Sequence, residues 1–354
     1  MAENQITIRP YKPGDEEAIN NLFNRVFHKS RTHEEWNWKF RDNPASKDPS
    51  EWIIVAERNG CIIGHYASLA TEVKYGNRVV TAGQPVDTII DPSVKAGIKL
   101  VAKLYGMHIK YNNGTAPFGF GFPNEAAYMV GKKFLGYQDL GELVQFFKRL
   151  SIKSALRRRF PLCPGWIINL SHHFSKVFNW LAIAMMEQDK YAVVRIADSF
   201  DERTDKFWDA ISDRYGIMTV RNLSYLNWRY KSRQYKIFIG EKNDELTGYA
   251  VTKVEERGDA RVGYIMDFLS RDDTIISLIS GVLKSFLELN VDYVLCGLLR
   301  HDPLRGYFKK TGFREHKGIQ PIRVVVTPLT KEIDTGYLLN QKNWHLMYGD
   351  TDGF

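Results

Sequence analysis

The sequence predicts an α/β (α+β) chain built as two tandem mixed β-sheets, each flanked by helices. Three observations predict it. The chain has 354 residues, enough for two ordinary domains. Two tracts share a pattern: Trp36-Asn37-Trp38-Lys39-Phe40 and Leu226-Asn227-Trp228-Arg229-Tyr230, each followed by a strand, a turn and a strand. Two helix ends also share a stop, Lys132-Lys133-Phe134-Leu135-Gly136-Tyr137 and Lys309-Lys310-Thr311-Gly312-Phe313. In each, a glycine just past the helix supplies the left-handed residue that ends it, and the aromatic starts the next strand.

The elements of the first copy follow in order. Ile6 to Pro10 alternates as a short strand, and Pro13 to Glu17 is a turn with acids entering a helix. Ala18, Ile19, Leu22, Phe23 and Val26 then recur at helical spacing. Trp52 to Glu57 and Cys61 to Ala67 are β-rich runs joined by Arg58-Asn59-Gly60, a hairpin turn. A second pair, Thr71 to Tyr75 and Arg78 to Ala82, is joined at Gly76-Asn77. Pro85 to Ile90 is a strand, Gly97 to about Lys110 a helix, Phe118 to Phe122 a glycine-rich strand, and Asn124 caps a further helix. Strand-helix-strand-helix after antiparallel strands indicates a mixed sheet with helices on its faces. The second copy repeats the hairpin as Lys236 to Gly240 and Leu246 to Ala250 around Lys242-Asn243-Asp244-Glu245.

This gives a first domain over residues 1–147, a basic and amphipathic linker over 148–195, a second, degenerate domain over 196–330 and a tail over 331–354. Lys148, Arg149, Lys153, Arg157, Arg158 and Arg159 fall within twelve residues that hold no acid. Pro161 to Met186 is apolar and aromatic but interrupted by His172, His173 and Lys176, so a spanning helix is not predicted. The stretch reads either as packing between domains or as a weak membrane-surface contact helped by the arginines before it. The tail from Trp344 to Phe354 is either a frayed end or a docked segment.

Composition narrows the function classes. Hydrophobic residues make up 44% and charged residues 25%, as in a folded soluble protein. Met1 to Arg9 carries no apolar signal core. Cys61, Cys163 and Cys296 lie far apart with no metal-ligand spacing, so a cytoplasmic setting is expected and a metal site is not. The net charge of +8 suits a polyanionic ligand, whether nucleotide cofactor, nucleic acid or anionic membrane, and equally serves solubility.

The chemistry concentrates between Asp87 and Lys99. A strand ends at Asp91-Pro92, a small-residue loop follows, and a helix begins. Its unpaired N–H groups and dipole would hold a pyrophosphate, with Lys95 and Lys99 adding charge. An ordinary strand-to-helix turn is the plain alternative.

This run resembles the cofactor-binding signature of the acyl-CoA-dependent N-acyltransferase (GNAT) superfamily, in which an Asp-bearing strand and a Pro precede an Arg/Gln-x-x-Gly-x-Gly/Ala loop. Asn124-Glu125-Ala126-Ala127 through Gly136-Tyr137 resembles a second signature, and Ile6 to Asp15 resembles GNAT openings. The resemblance covers about residues 5–140, with a weaker echo over 215–330, and identifies the chain as similar to tandem double-GNAT proteins. Four features depart from the pattern, one being Lys99 near the second small-residue position. The loop takes five steps, not six, from Pro92 to Gly97; Lys95 stands where Arg or Gln is usual; and Lys132 stands where many members carry a tyrosine acid.

The resemblance implies direct acyl transfer from acetyl-CoA or another acyl-CoA, without a metal, to an amine of a small molecule or sugar. It implies cofactor contacts at Ile89, Ile90, Lys95, Ala96, Gly97, Ile98, Lys99 and Asn124, with the Ile89 and Ile90 backbone N–H groups meeting the thioester oxyanion. Asp87 is the first candidate base, with Glu125 and Glu72 behind it, and Tyr128 the candidate acid. Asp87 reads equally as a cap or turn partner. Some two-copy relatives use their own terminal carboxylate as base, which here is Phe354. The second copy has no glycine loop at Asp267 to Thr274 and is expected to hold no cofactor. Two other readings stand beside the first: Fem-like aminoacyl transfer from aminoacyl-tRNA, and a binding protein that kept the fold without the chemistry.

Overall fold

A computed structural model describes residues 5–46, 48–95, 97–112, 115–186, 191–232 and 234–352. In chain order the first elements are β1 (Thr7–Pro10), α1 (Glu16–Phe27), α2 (His33–Trp36), β2 (Ile53–Arg58), β3 (Cys61–Tyr75), β4 (Arg78–Ile90), α3 (Gly97–Tyr111), β5 (Phe118–Gly121), α4 (Glu125–Phe134) and β6 (Gln138–Arg149). There follow α5 (Lys153–Arg159), α6 (Gly165–Ala184), β7 (Val193–Ala197), α7 (Arg203–Ile211), β8 (Ile217–Thr219), α8 (Leu223–Arg229), β9 (Tyr235–Lys242), β10 (Glu245–Arg257) and β11 (Ala260–Ser270). The last are α9 (Ile275–Glu288), β12 (Tyr293–Leu299), α10 (Leu304–Lys310), β13 (Arg314–Glu315), β14 (Ile322–Pro328), α11 (Thr335–Leu339) and β15 (Trp344–His345).

The chain divides into two compact units. Unit 1 holds residues 1–141, 216–220 and 323–343, and unit 2 holds 142–215, 221–322 and 344–354. In unit 1 the sheet runs β1-β2-β3-β4-β5-β14, with β8 added beside the far end of β3. Strand β2 is buried along Ile53, Ile54, Val55 and Ala56 because helices cover both of its faces. One face carries Ile19, Leu22, Trp36 and Phe40 onto Ile53, Val55 and Ala67. The other carries Leu100, Val101 and Leu104 of α3 onto Ile54, Ala56 and Tyr66. Thr32 closes a capping box with Glu35, which fixes the start of α2.

In unit 2 the sheet runs β6-β12-β11-β10-β9-β7, with β13 beside β6. Helix α9 packs Leu278, Ile279, Val282 and Phe286 into a core with Phe146, Ile265 and Phe268.

The two repeated tracts behave alike. Trp36 and Leu226 are both 0% exposed, and Phe40 and Tyr230 are both buried, so the apolar positions point inward at matching places. Both hairpins turn through consecutive left-handed residues, Asn59 and Gly60 in one and Asn243 and Asp244 in the other. Gly136 and Gly312 sit at φ +69° and +87°, the left-handed stops expected past α4 and α10.

One expectation changes, and the structure decides between the two readings of the tail. The four strands read between residues 61 and 90 are two long ones, β3 and β4, because Leu69, Ala70, Gly83 and Gln84 stay in register across them. The tail is docked: Trp344 through Thr351 are buried within unit 2.

Candidate active site

Strand β4 shapes the site in unit 1. Ser68 donates its N–H toward β2, at Trp52 O, so the opposed pair Ser68–Pro85 is not bonded across β3 and β4. The nitrogen of Pro85 therefore faces β5, and it has no hydrogen to give. The parallel register of β4 on β5 is Gly83 opposite Gly119. Further along, a Cβ on Gly121 would stand 3.5 Å from the Pro85 ring.

A bulge follows. Ala67 faces Val86 and His65 faces Ile89, so Asp87 and Thr88 together oppose Tyr66. Asp87 takes the left-handed conformation, φ +49°, to absorb the extra residue. Asp91 N–H donates to Ile63 O at 2.8 Å. Ladder alternation then directs the Ile89 N–H to β3 and the Ile90 N–H outward, away from β3. Among the described residues, Ile90 has the open donor of the two oxyanion candidates and Ile89 spends its own in the ladder.

Below the bulge lies a buried polar cluster. Asp87 pairs with Arg31, from the turn between α1 and α2, and with Lys39 at 3.0 Å. Burial raises the Asp87 pKa, but Lys39 and Arg31 together outweigh it and hold it down at about 2. His65 Nδ1–H donates to the Asp87 carbonyl at 2.7 Å, which leaves Nε2 as a lone pair. Burial lowers the His65 pKa to about 4, so the ring is neutral. His65 Nε2 and Arg31 Nη2 find no hydrogen-bond partner among the described residues. Arg31 also donates from Nε to Asn20 and lies 3.8 Å over the Phe23 ring. A carboxylate held between two cations with so low a pKa takes up no proton near neutrality. Asp87 is thus an anchor in this geometry, and a weak base.

The other sequence candidates sit elsewhere in unit 1. Asp91 accepts from Ser93 N–H at 2.9 Å and pairs with Arg25, which shapes the loop into α3. Lys95, Ile98 and Lys99 are exposed at the start of α3, and a Cβ on Gly97 would lie 3.5 Å from Ile90 Cγ2. Ala96 and Phe354 lie outside the described residues. Asn124 spends its side-chain oxygen on the Ala127 N–H as the cap of α4. Glu125 is exposed and paired with Arg323 at 3.0 Å, and Arg323 lies 3.7 Å over the Tyr128 ring. The Tyr128 hydroxyl donates to Asp139 at 3.2 Å, which Lys132 also contacts. Glu72 is half-buried on β3, opposite Thr81. Glu125 and Tyr128 therefore share Arg323, whereas Asp87 belongs to a separate bonded group. Sequence reasoning missed Arg31, Lys39, His65 and Arg323. Pro85 was the available signal, because a proline inside a strand marks a bulge or an unpaired edge.

Unit 2 has a comparable place, and it is filled. Strands β11 and β12 run parallel from Val262–Tyr293 to Ile265–Cys296, and β11 shifts register near Asp267. Just past that last pair, Gly349 abuts Met266 O, 3.1 Å from where its Cβ would stand. Tyr348 lies 2.5 Å from a Cβ built on Gly297. Asp350 is buried against Arg221, which also holds Asp267. The turn Tyr348–Asp350 wedges between the two strands.

The split, bulged β4 beside the N-terminus of α3 defines the class: a GNAT-type acyltransferase fold. The acetyltransferase (GNAT) domain family matches residues 7–134, all of them in unit 1. No curated protein sequence matches the chain. Among solved structures, a GCN5-related N-acetyltransferase from Anabaena variabilis ATCC 29413 aligns with TM-score 0.63 and 11% identity, over 92% of this chain and 73% of its own. A probable N-acyltransferase of unknown function from Enterococcus faecalis V583 gives TM-score 0.63 and 10% identity, over 91% and 72%. Saccharomyces cerevisiae N-myristoyltransferase with bound myristoyl-CoA gives 0.56 and 10%, over 91% and 82%. At these identities the likeness is one of fold.

Proposed function

We propose that unit 1 transfers an acyl group from acyl-CoA, acetyl-CoA first among candidates, to an amine of a small molecule or sugar. The observation that carries this reading is the outward Ile90 N–H at the unpaired end of β4, beside the start of α3. The Ile90 N–H would meet the oxyanion as it forms, and the α3 N-terminus with Lys95 and Lys99 would take the pyrophosphate. Acyl-CoA supplies the activated thioester. The acceptor would lie on the α1 and α2 face, over the buried cluster of Arg31, Lys39, His65 and Asp87. Asp87 positions Arg31 and Lys39. As the C–S bond breaks, Tyr128 would give its proton to the departing thiolate and regain one through solvent as the amine nitrogen loses its own, with Asp139 and Arg323 holding the ring and hydroxyl. Unit 2 is a second copy of the same fold that binds no cofactor.

Asp87 and His65 titrate at about 2 and about 4, so neither serves as a base near neutrality. The amine then arrives already neutral, and kcat/KM should climb with pH toward the amine's own pKa, roughly 10 if lysine-like. A plateau already reached between pH values of about 5 and 8 would contradict this. The site itself is tested by thermal melts with millimolar acetyl-CoA, with tRNA and without ligand. Acetyl-CoA should raise the midpoint, and Gly97→Trp, whose ring must enter the space beside Ile90, should abolish the rise. No rise with acetyl-CoA sinks the proposal, and a rise with tRNA alone favours aminoacyl transfer.

A further inference from the structure

Helix α6 is built inside out. A helix on a globular body normally buries its apolar stripe and wets its polar one. Here the packed stripe is largely polar. His172 Nδ1 bonds Ser151 Oγ at 2.8 Å, Lys176 donates to Asn290 at 2.9 Å, and Asn179 donates to Leu150 O at 3.1 Å. Ile168 and Ile183 complete that stripe near its two ends. The outward face carries Trp166, Leu170, Phe174, Phe178, Trp180 and Leu181, with Phe178 72% exposed. Among the described residues, eleven of the twenty large apolar side chains left exposed fall between Phe160 and Met185.

The stretch of sequence that carries this face has charge of one sign. From Lys148 to Met186 the sequence holds seven lysines and arginines and no acid. Arg149, Arg157 and Arg159 are exposed just before the helix. No helix among the described residues is long and apolar enough to cross a membrane. We propose that α6 lies in the surface of an anionic lipid bilayer, its aromatic face in the acyl boundary and the α5 arginines on the headgroups. Tryptophans near both ends suit the interface, where an indole meets hydrocarbon and water together. A protein partner would have to cover the same apolar face while supplying acids for every cation. A bilayer of anionic lipid supplies both at once. This inference stands independently of the acyl-transfer proposal.

The experiment is flotation of the full chain with vesicles of phosphatidylcholine alone and of phosphatidylcholine with phosphatidylglycerol, at low and high salt. The chain should float with the anionic vesicles and be released by salt. Phe174→Ser with Phe178→Ser should weaken flotation at least about tenfold, because two buried rings are lost from the lipid contact. Arg157→Glu with Arg159→Glu should weaken it about thirty-fold or more. Both pairs are exposed in unit 2, so the melting midpoint should hold. Failure of the wild-type chain to float overturns the proposal. So does a wild-type dimer that the phenylalanine pair converts to monomer, or tRNA binding through the arginines without vesicle binding.

Discussion

Replacing Asp87 by asparagine keeps the shape of the side chain and removes its charge. Arg31, Asp87 and Lys39 have side chains only 8%, 6% and 13% exposed, so the two cations would stay buried without their counter-ion. Stripping one partner from a buried pair costs about 3–5 kcal/mol. For a unit of this size that is a fall of roughly 6–20 °C in the melting midpoint. Tryptophan fluorescence during heating or urea titration reads it directly. Lys39→Met introduced into Asp87→Asn should recover part of the loss, because one of the two cations that faced Asp87 is gone, giving a coupling of about 1–3 kcal/mol. The wild-type term is also pH-dependent. The folded pKa of about 2 lies below the unfolded value, so the stabilisation is complete above that unfolded value, near 4, and is lost as pH falls toward about 2. An unchanged midpoint in Asp87→Asn together with a collapsed kcat would refute the anchor and restore Asp87 as the base.

His65 and His108 are each held neutral by burial, with pKa lowered from 6.5 to about 4. Unfolding lets them take up protons, so stability present above pH 6.5 should be lost toward pH 4, by about 3 kcal/mol for each ring; His65→Gln with His108→Gln should flatten the midpoint-versus-pH curve over that window. Gly131→Ala drives a Cβ to 2.0 Å from the Tyr137 ring and should lower the midpoint, whereas Gly106→Ala meets nothing within 4 Å and should raise stability by up to about 1 kcal/mol. Lys95→Glu with Lys99→Glu should raise the KM for acyl-CoA with little change in kcat, and the difference should shrink in high salt. Arg221→Met removes the cation paired with Asp267 and Asp350 inside unit 2 and should destabilise it by about 3–5 kcal/mol in urea melts.

The features legible in the sequence were those that local chemistry dictates. Gly136, Gly312, Asn59-Gly60 and Asn243-Asp244 announce left-handed backbone, and the backbone is left-handed there. Asn124 announces a cap and makes one. The polar cluster under the bulge was not legible, because Arg31, Lys39, His65 and Asp87 are separated by up to 56 residues and meet only when β3 pairs with β4. Arg323 reaches Glu125 across 198 residues for the same kind of reason, through β14 pairing with β5. The inversion of α6 was half legible. Its apolar content could be read, but which stripe packs depends on Ser151, Leu150 and Asn290.

The wedge at Tyr348–Asp350 bears on the proposed stoichiometry and covers an edge. With the unit 2 gap occupied by the chain's own backbone, calorimetric titration should find one acyl-CoA per chain. The last segment is also a cover for strand. Residues 266–270 of β11 continue beyond the last β12 pair, and an uncovered strand edge is a template for pairing with another molecule. Cutting the chain after Asn343 would uncover that edge and take Asp350 from Arg221, so the shortened protein should associate and precipitate. A fusion placed at this end needs a spacer that leaves Trp344 to Thr351 free to seat.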